Sequence, residues 1–110
     1  MNTYKYGIFA EYWMILYLFF HGYKILKRRY KTKLGEIDIL ATKNKDLTAF
    51  EVKARKKQEL TTEIVSEKQI KRIQNALKYF LLCNNKYVDY NICYNIILYR
   101  NMFNFAIFKE

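Results

Sequence analysis

Proline is absent from this chain, glycine occurs three times in 110 residues, and no Pro/Gly/Ser-rich stretch, internal repeat or low-complexity run divides it. Without a linker, and at this length, the chain reads as one domain spanning residues 1–110. Its two cysteines, Cys83 and Cys93, have no metal-ligand spacing and are too few for a disulfide framework. They are expected to be buried thiols in a reducing, cytoplasmic compartment. The one histidine, His21, stands where a helix should end and is expected to complement the helix dipole there rather than catalyse. No apolar run reaches the ~20 residues of a membrane span. The stretch Tyr12 to Phe20 is much shorter, and His21-Gly22-Tyr23-Lys24 after it offers no small-residue cleavage site. Acidic residues are scarce too: 10 Asp and Glu stand against 20 Lys and Arg, a formal charge of +10.

What is present is apolar and basic. Apolar residues make up 52% of the chain, enough to exclude a disordered segment. The positive charge favours polyanionic partners, nucleic acid first and an anionic membrane second. It falls in three clusters: Lys24, Lys27, Arg28, Arg29, Lys31 and Lys33; then Arg55, Lys56 and Lys57; then Lys68, Lys71 and Arg72.

Tyr4 to His21 reads as a helix closed by Gly22, apolar on nearly every side. Ile8, Glu11, Ile15 and Leu18 share one row of it, which places a carboxylate beside core positions. Strands follow: Tyr23 to Lys27 and on toward Tyr30, Glu36 to Thr42, and Leu47 to Lys53 after the polar turn Lys43 to Asp46. Ser66-Glu67-Lys68-Gln69 resembles a capping box at the start of a second helix that runs to about Leu82, with Ile70, Ile73, Leu77 and either Phe80 or Leu81 turned inward. A turn at Asn84 to Lys86, a long strand within Tyr87 to Tyr99, a hairpin turn at Arg100-Asn101 and a strand from Met102 to Phe108 complete the chain. The order α-β-β-β-α-β-β describes an α/β domain with a mixed sheet. Its first three strands should form an antiparallel meander, and the helical crossover makes the third and fourth parallel.

The charged islands within these strands point to chemistry. Side chains alternate along a strand, so Glu36 shares a face with Asp38, and Glu51 shares a face with Lys53. Each uncompensated ion in apolar surroundings costs several kcal/mol, which a fold tolerates where ions pair or hold a metal. Asp38 and Glu51 offer hard oxygen ligands of the kind Mg²⁺ or Mn²⁺ takes, with Glu36 a further acid. Lys53 could orient or deprotonate a water, or stabilise charge on a phosphate under attack. The alternative is a buried ion network that only holds the sheet together.

An acid on the first helix, an acid on the second strand and an acid-x-Lys on the third resemble the PD-(D/E)XK, restriction-endonuclease-like superfamily. More narrowly, Gly7-x-x-Ala10-Glu11, Gly22-Tyr23-x-Ile25-Leu26-x-Arg28, Gly35-Glu36-Ile37-Asp38-Ile39-Leu40-Ala41 and Phe50-Glu51-Val52-Lys53-x-Arg55 resemble the YraN-like family of small bacterial proteins. Val65, Lys68, Arg72, Ala76, Tyr79 and Phe80 extend the match. The family often shows Arg-Phe-Asp in its fourth strand, where Asp89-Tyr90-Asn91 stand here.

The resemblance implies a restriction-endonuclease-like core and a metal-dependent nuclease. Asp38 and Glu51 would be metal ligands, Glu36 an acid that supports those ligands or binds a second metal, Lys53 the catalytic lysine, and Glu11 an acid pointing into the site. Arg28, Arg29, Lys33, Arg55, Lys68 and Arg72 would grip phosphates without reading bases. DNA, branched or nicked, is favoured over RNA by superfamily analogy, and symmetric cleavage would require a homodimer. Two other classes stay open: a nucleic-acid-binding module that does not cleave, and a membrane-surface protein anchored through Tyr12 to Phe20.

Overall fold

The first helix, α1 (Thr3–Phe20), starts because the Asn2 side chain accepts the amide of Lys5 at 2.8 Å, supplying one donor of the open first turn with a partner. It stops at Gly22, whose φ of +92° lies in the left-handed region that side chains resist. His21 does sit at that terminus, its Nδ1 2.7 Å from the Tyr17 carbonyl and its ring stacked on Tyr17. The computed structural model describes residues 2–55 and 66–109; Lys56, Lys57 and Val65, singled out from the sequence, lie outside the described residues.

After α1 the chain forms β1 (Lys24–Lys31), β2 (Glu36–Lys43) and β3 (Asp46–Ala54), then α2 (Glu67–Cys83), a short 3₁₀ turn (Asn85–Tyr87), β4 (Asn91–Asn101) and β5 (Asn104–Lys109). The five strands lie in sequence order. β1, β2 and β3 are antiparallel, β3 and β4 parallel, β4 and β5 antiparallel. This is the expected α-β-β-β-α-β-β order, a mixed sheet consistent with a restriction-endonuclease-like core.

One helix covers each face of the sheet. Ala10, Met14 and Leu18 of α1 pack on Ile39, Ala41, Phe50, Ile97 and Tyr99. On the other face, Ile73, Ala76, Leu77 and Phe80 of α2 pack with Ile37, Leu40, Leu47 and Ala49. Of the expected α1 row only Leu18 is buried, while Ile8 and Ile15 are half-buried and Glu11 lies at the rim. A helix that is apolar nearly all round leaves its inward face undetermined by periodicity, and small Ala10 lets the backbone approach the sheet.

Elsewhere the structure corrects the boundaries. The long strand expected within Tyr87 to Tyr99 begins at Asn91 and runs on to Asn101, and Tyr87 is a buried member of the α2 cluster in the 3₁₀ turn. The last hairpin turns at Met102-Phe103, two residues later than expected, because the Asn101 side chain accepts the Phe103 amide at 2.9 Å and closes the turn itself. Cys83 is exposed and Cys93 half-buried, so neither is the buried thiol expected. Cys83 is the last residue of α2, and Cys93 lies near the start of β4, where it lines an open cavity with Ile73 and Leu77.

A close approach fixes α2 relative to β2. Thr32 Oγ1 accepts the amides of Leu34 and Gly35, at 3.1 and 3.0 Å, folding the β1–β2 loop into a tight turn. Gly35 then lies against the α2 backbone: a Cβ there would fall 1.8 Å from the carbonyl oxygen of Arg72.

Candidate functional site

β2 and β3 separate where their charged residues begin. Their ladder runs from Lys43 opposite Asp46 to Ile39 opposite Phe50, and the next residues, Asp38 and Glu51, are not backbone partners. Instead, Asp38 Oδ2 accepts the Val52 amide at 2.8 Å, taking a donor that the parting strands leave without a ladder acceptor. Val52 and Phe50 pack toward α1, so Glu51 and Lys53 point to the side of α2.

There they meet Gln69, in the first turn of α2. Its Nε2 donates to Glu51 Oε2, and its Oε1 accepts from Lys53 Nζ at 3.3 Å. A single carboxamide thus ties the acid and the lysine of the third strand together. Ser66 Oγ accepts the Gln69 amide at 3.1 Å, as the capping box requires. The Gln69 side chain, which that motif would return to the N-cap, goes to the site. Sequence pattern identified this residue as a cap and missed it as a site residue; the available signal was its place on α2 opposite an acid-x-Lys strand.

Glu51 is only 8% exposed. Burial, first, and then a hydrogen bond and like charge from Asp38 push its carboxyl up to about 9, against the opposing pull of Lys53 and Gln69. Glu51 therefore keeps a proton near neutral pH. The folded chain keeps this proton where the unfolded one has lost it, so stability falls as pH rises from the ordinary value of 4.5 toward 9. Glu51→Gln removes that slope, and in chelator at pH 8 it is expected to melt several degrees above the parent, by about 4–8 °C for each kcal/mol recovered. Melting curves of both proteins from pH 5 to 9 check this; two parallel curves would mean that Glu51 is ionised throughout.

On the side of α1 the acids continue. Glu11, Arg29, Lys31, Glu36, Ile37 and Asp38 line a cleft of about 110 Å³. Burial, then the charge of Asp38, raises the Glu11 carboxyl, while Arg29 and Arg28 oppose the rise. Glu11 Oε1 lies 3.4 Å from Arg29 Nε and has no hydrogen-bond partner among the described residues. Arg29 stands opposite Asp38 in the β1–β2 ladder, between the pairs Arg28–Ile39 and Tyr30–Ile37. Its φ of +50° is unusual for a residue with a side chain, and such strain gathers at working sites.

Glu11, Asp38, Glu51 and Lys53 are thus brought together as a row. Asp38 is central, with Glu11 and Glu36 on one side and Glu51, Gln69 and Lys53 on the other. A single point ringed by Glu11, Asp38 and Glu51 is not what the side chains form. No group of three acidic, histidine or cysteine side chains among the described residues is close enough to hold one ion. The Asp38–Glu51 pair still fits a divalent metal by its chemistry: both are hard oxygen donors, a cation would displace the proton that burial keeps on Glu51, and Mg²⁺ commonly takes only one or two carboxylates.

The basic residues expected at phosphates divide between the two faces. Arg28 stacks on the Tyr12 ring, 4.6 Å from its centroid, and Arg29 turns to Glu11, both on the α1 side. Lys33 is exposed in the loop that Gly35 presses onto α2, and Lys68 and Arg72 are exposed on that helix. Arg55, just past β3, donates its amide to Tyr99 O at 2.9 Å.

Comparison with known sequences places these residues inside a family. The sequence model described as Uncharacterised protein family UPF0102, the YraN family, matches residues 10–100. A UPF0102 protein of Fusobacterium nucleatum is 38% identical over 101 residues, covering 90% of this chain and 84% of its own. One from Ehrlichia chaffeensis is 39% identical over 94 residues, or 84% and 75% of the two chains. One from Rhodopseudomonas palustris is 34% identical over 96 residues, or 87% and 71%.

Proposed function

Because this chain belongs to the uncharacterised protein family UPF0102, a description that names no reaction, function has to be argued from the site, and we propose a metal-dependent phosphodiesterase acting on nucleic acid. The observation that carries the reading is the row Asp38–Glu51–Gln69–Lys53: two hydrogen-bonded carboxyls, with a lysine linked to one of them through a carboxamide, where two strands part.

Asp38 and Glu51 would hold Mg²⁺ or Mn²⁺, which when bound supplies positive charge to a scissile phosphate and acidifies water. Lys53, on the same face as Glu51, is placed to orient the attacking water or neutralise charge gained by the phosphate. Gln69 limits the rotamers of both. Glu36 and Glu11 extend the acidic row toward the α1 side, where Arg29 neutralises Glu11. Arg28, Lys33, Arg55, Lys68 and Arg72 would contact the backbone phosphates, so binding should weaken with salt and show little sequence preference. DNA is preferred over RNA by analogy with the superfamily, and branched or nicked forms are the first substrates to try.

The test is a panel of duplex, single-stranded, flap and four-way-junction DNA, with RNA counterparts, incubated with Mg²⁺, with Mn²⁺ and with chelator. Cleavage of at least one substrate that chelator stops is the expected result. Salt-sensitive binding without cleavage of any substrate under either metal would instead assign the acids and Lys53 to a structural network in a binding module.

A further inference from the structure

A second surface is built into the outer side of α1. At roughly 100° of rotation per residue, Lys5, Phe9, Tyr12, Leu16, Phe19 and Phe20 all fall within about 60° of one line along the helix. The line is opposite the Ala10–Met14–Leu18 face that packs on the sheet. Its apolar members are between 40% and 77% exposed. Such side chains scattered singly need no explanation, but five in one stripe on an 18-residue helix form a contiguous patch of the kind that marks an interaction site.

The charges around the stripe select its partner. Lys5 stands in the stripe itself, and the Arg28 guanidinium lies over the Tyr12 ring. The only acid of α1, Glu11, is turned away to Arg29, with its side chain 14% exposed. A second copy of a chain of charge +10 would bring like charges to this border. A partner with an apolar interior and an anionic rim complements it. α1 is not long and apolar enough to cross a membrane, and its inner face is occupied, so only the outer stripe is available to enter. Aromatic residues with cations beside them suit the boundary between headgroups and acyl chains.

We propose that α1 lies in the surface of an anionic lipid bilayer through Phe9, Tyr12, Leu16, Phe19 and Phe20, with Lys5 and Arg28 at the headgroups. The apolar stripe takes no part in the acidic row, and Arg28 is the one residue that attachment and nucleic-acid binding would share. This attachment does not depend on the nuclease reading.

The lone tryptophan makes it measurable. Trp13 is half-buried on the flank of the stripe, within about 60° of Leu16. The full chain is mixed with vesicles of phosphatidylcholine alone or phosphatidylcholine with phosphatidylglycerol, and co-sedimentation and Trp13 emission are followed. Binding to the anionic vesicles is expected to exceed binding to the neutral ones at least about tenfold, since each nearby cation contributes about a factor of five. Trp13 emission should move to shorter wavelength on binding. The double variant L16S/F20S is expected to lose at least about tenfold in vesicle affinity from the lost apolar contact, with its melting temperature and nucleic-acid affinity unchanged. Failure of the parent to bind either vesicle would overturn the proposal, as would equal binding by parent and double variant, which would mean charge attraction alone. A dimer in solution that the double variant converts to monomer would assign the stripe to a second copy of the chain.

Discussion

Gly35→Ala should be among the most destabilising single-methyl additions this protein can suffer. The new Cβ would sit 1.8 Å from the Arg72 carbonyl oxygen and 2.6 Å from its carbon, both helix backbone rather than a side chain that can swing aside. To make room, either the Thr32–Gly35 turn must give up the amide bonds held by Thr32 Oγ1 or α2 must move away from β2. Overpacking of this kind costs about 1–3 kcal/mol and occasionally more, and a clash with backbone belongs at the top of that range. A loss of about 3 kcal/mol would lower the melting temperature of a domain this size by roughly 12–24 °C. The effect should also reach the site, because Gln69 lies one turn before Arg72 on the displaced helix. Calorimetry on the purified variant decides the matter: a melting temperature within a few degrees of the parent would show that the loop relaxes at little cost.

Lys53→Ala and Asp38→Ala are each expected to lower metal-dependent cleavage by about 10²–10⁴-fold, the range for removing a positioned proton-transfer group or an electrostatic stabiliser. Nucleic-acid affinity should stay within a few-fold of the parent, since the exposed cations Lys33, Lys68 and Arg72 are untouched. Lys53 is half-buried and donates to the Gln69 carboxamide, so its loss leaves no ion stranded in the core. Asp38 accepts the Val52 amide, so its removal should lower the melting temperature as well as activity. Comparing the two variants separates structure from chemistry. If Lys53→Ala cleaves like the parent, the lysine has no part in the reaction.

Much of this was legible in the chain itself. Two-residue alternation put Glu36 beside Asp38 and Glu51 beside Lys53, and short polar turns between strands forced the meander. The Ser66 cap and the apolar row of α2 located the second helix within a residue. These features are local, set by covalent geometry and side-chain period, and a sequence carries them without help from distant residues. The inward face of α1 was not legible, because a helix apolar nearly all round has no periodicity to read, and only contact with the sheet selected Ala10, Met14 and Leu18. The late hairpin turn escaped for a similar reason: the Asn101 side chain, not a glycine or proline, closes it.

The site divides along the same line. Sequence by itself determined which acids share a face and that a lysine accompanies Glu51. Only tertiary structure decided that Gln69 links Glu51 to Lys53, that Arg29 answers Glu11, and that Asp38 stands between Glu11 and Glu36 on one side and Glu51 on the other. Those relations join residues of different elements. They depend on how closely α2 seats against β2, which the space at Gly35 allows, and on where β2 and β3 part, which no period along a single strand encodes.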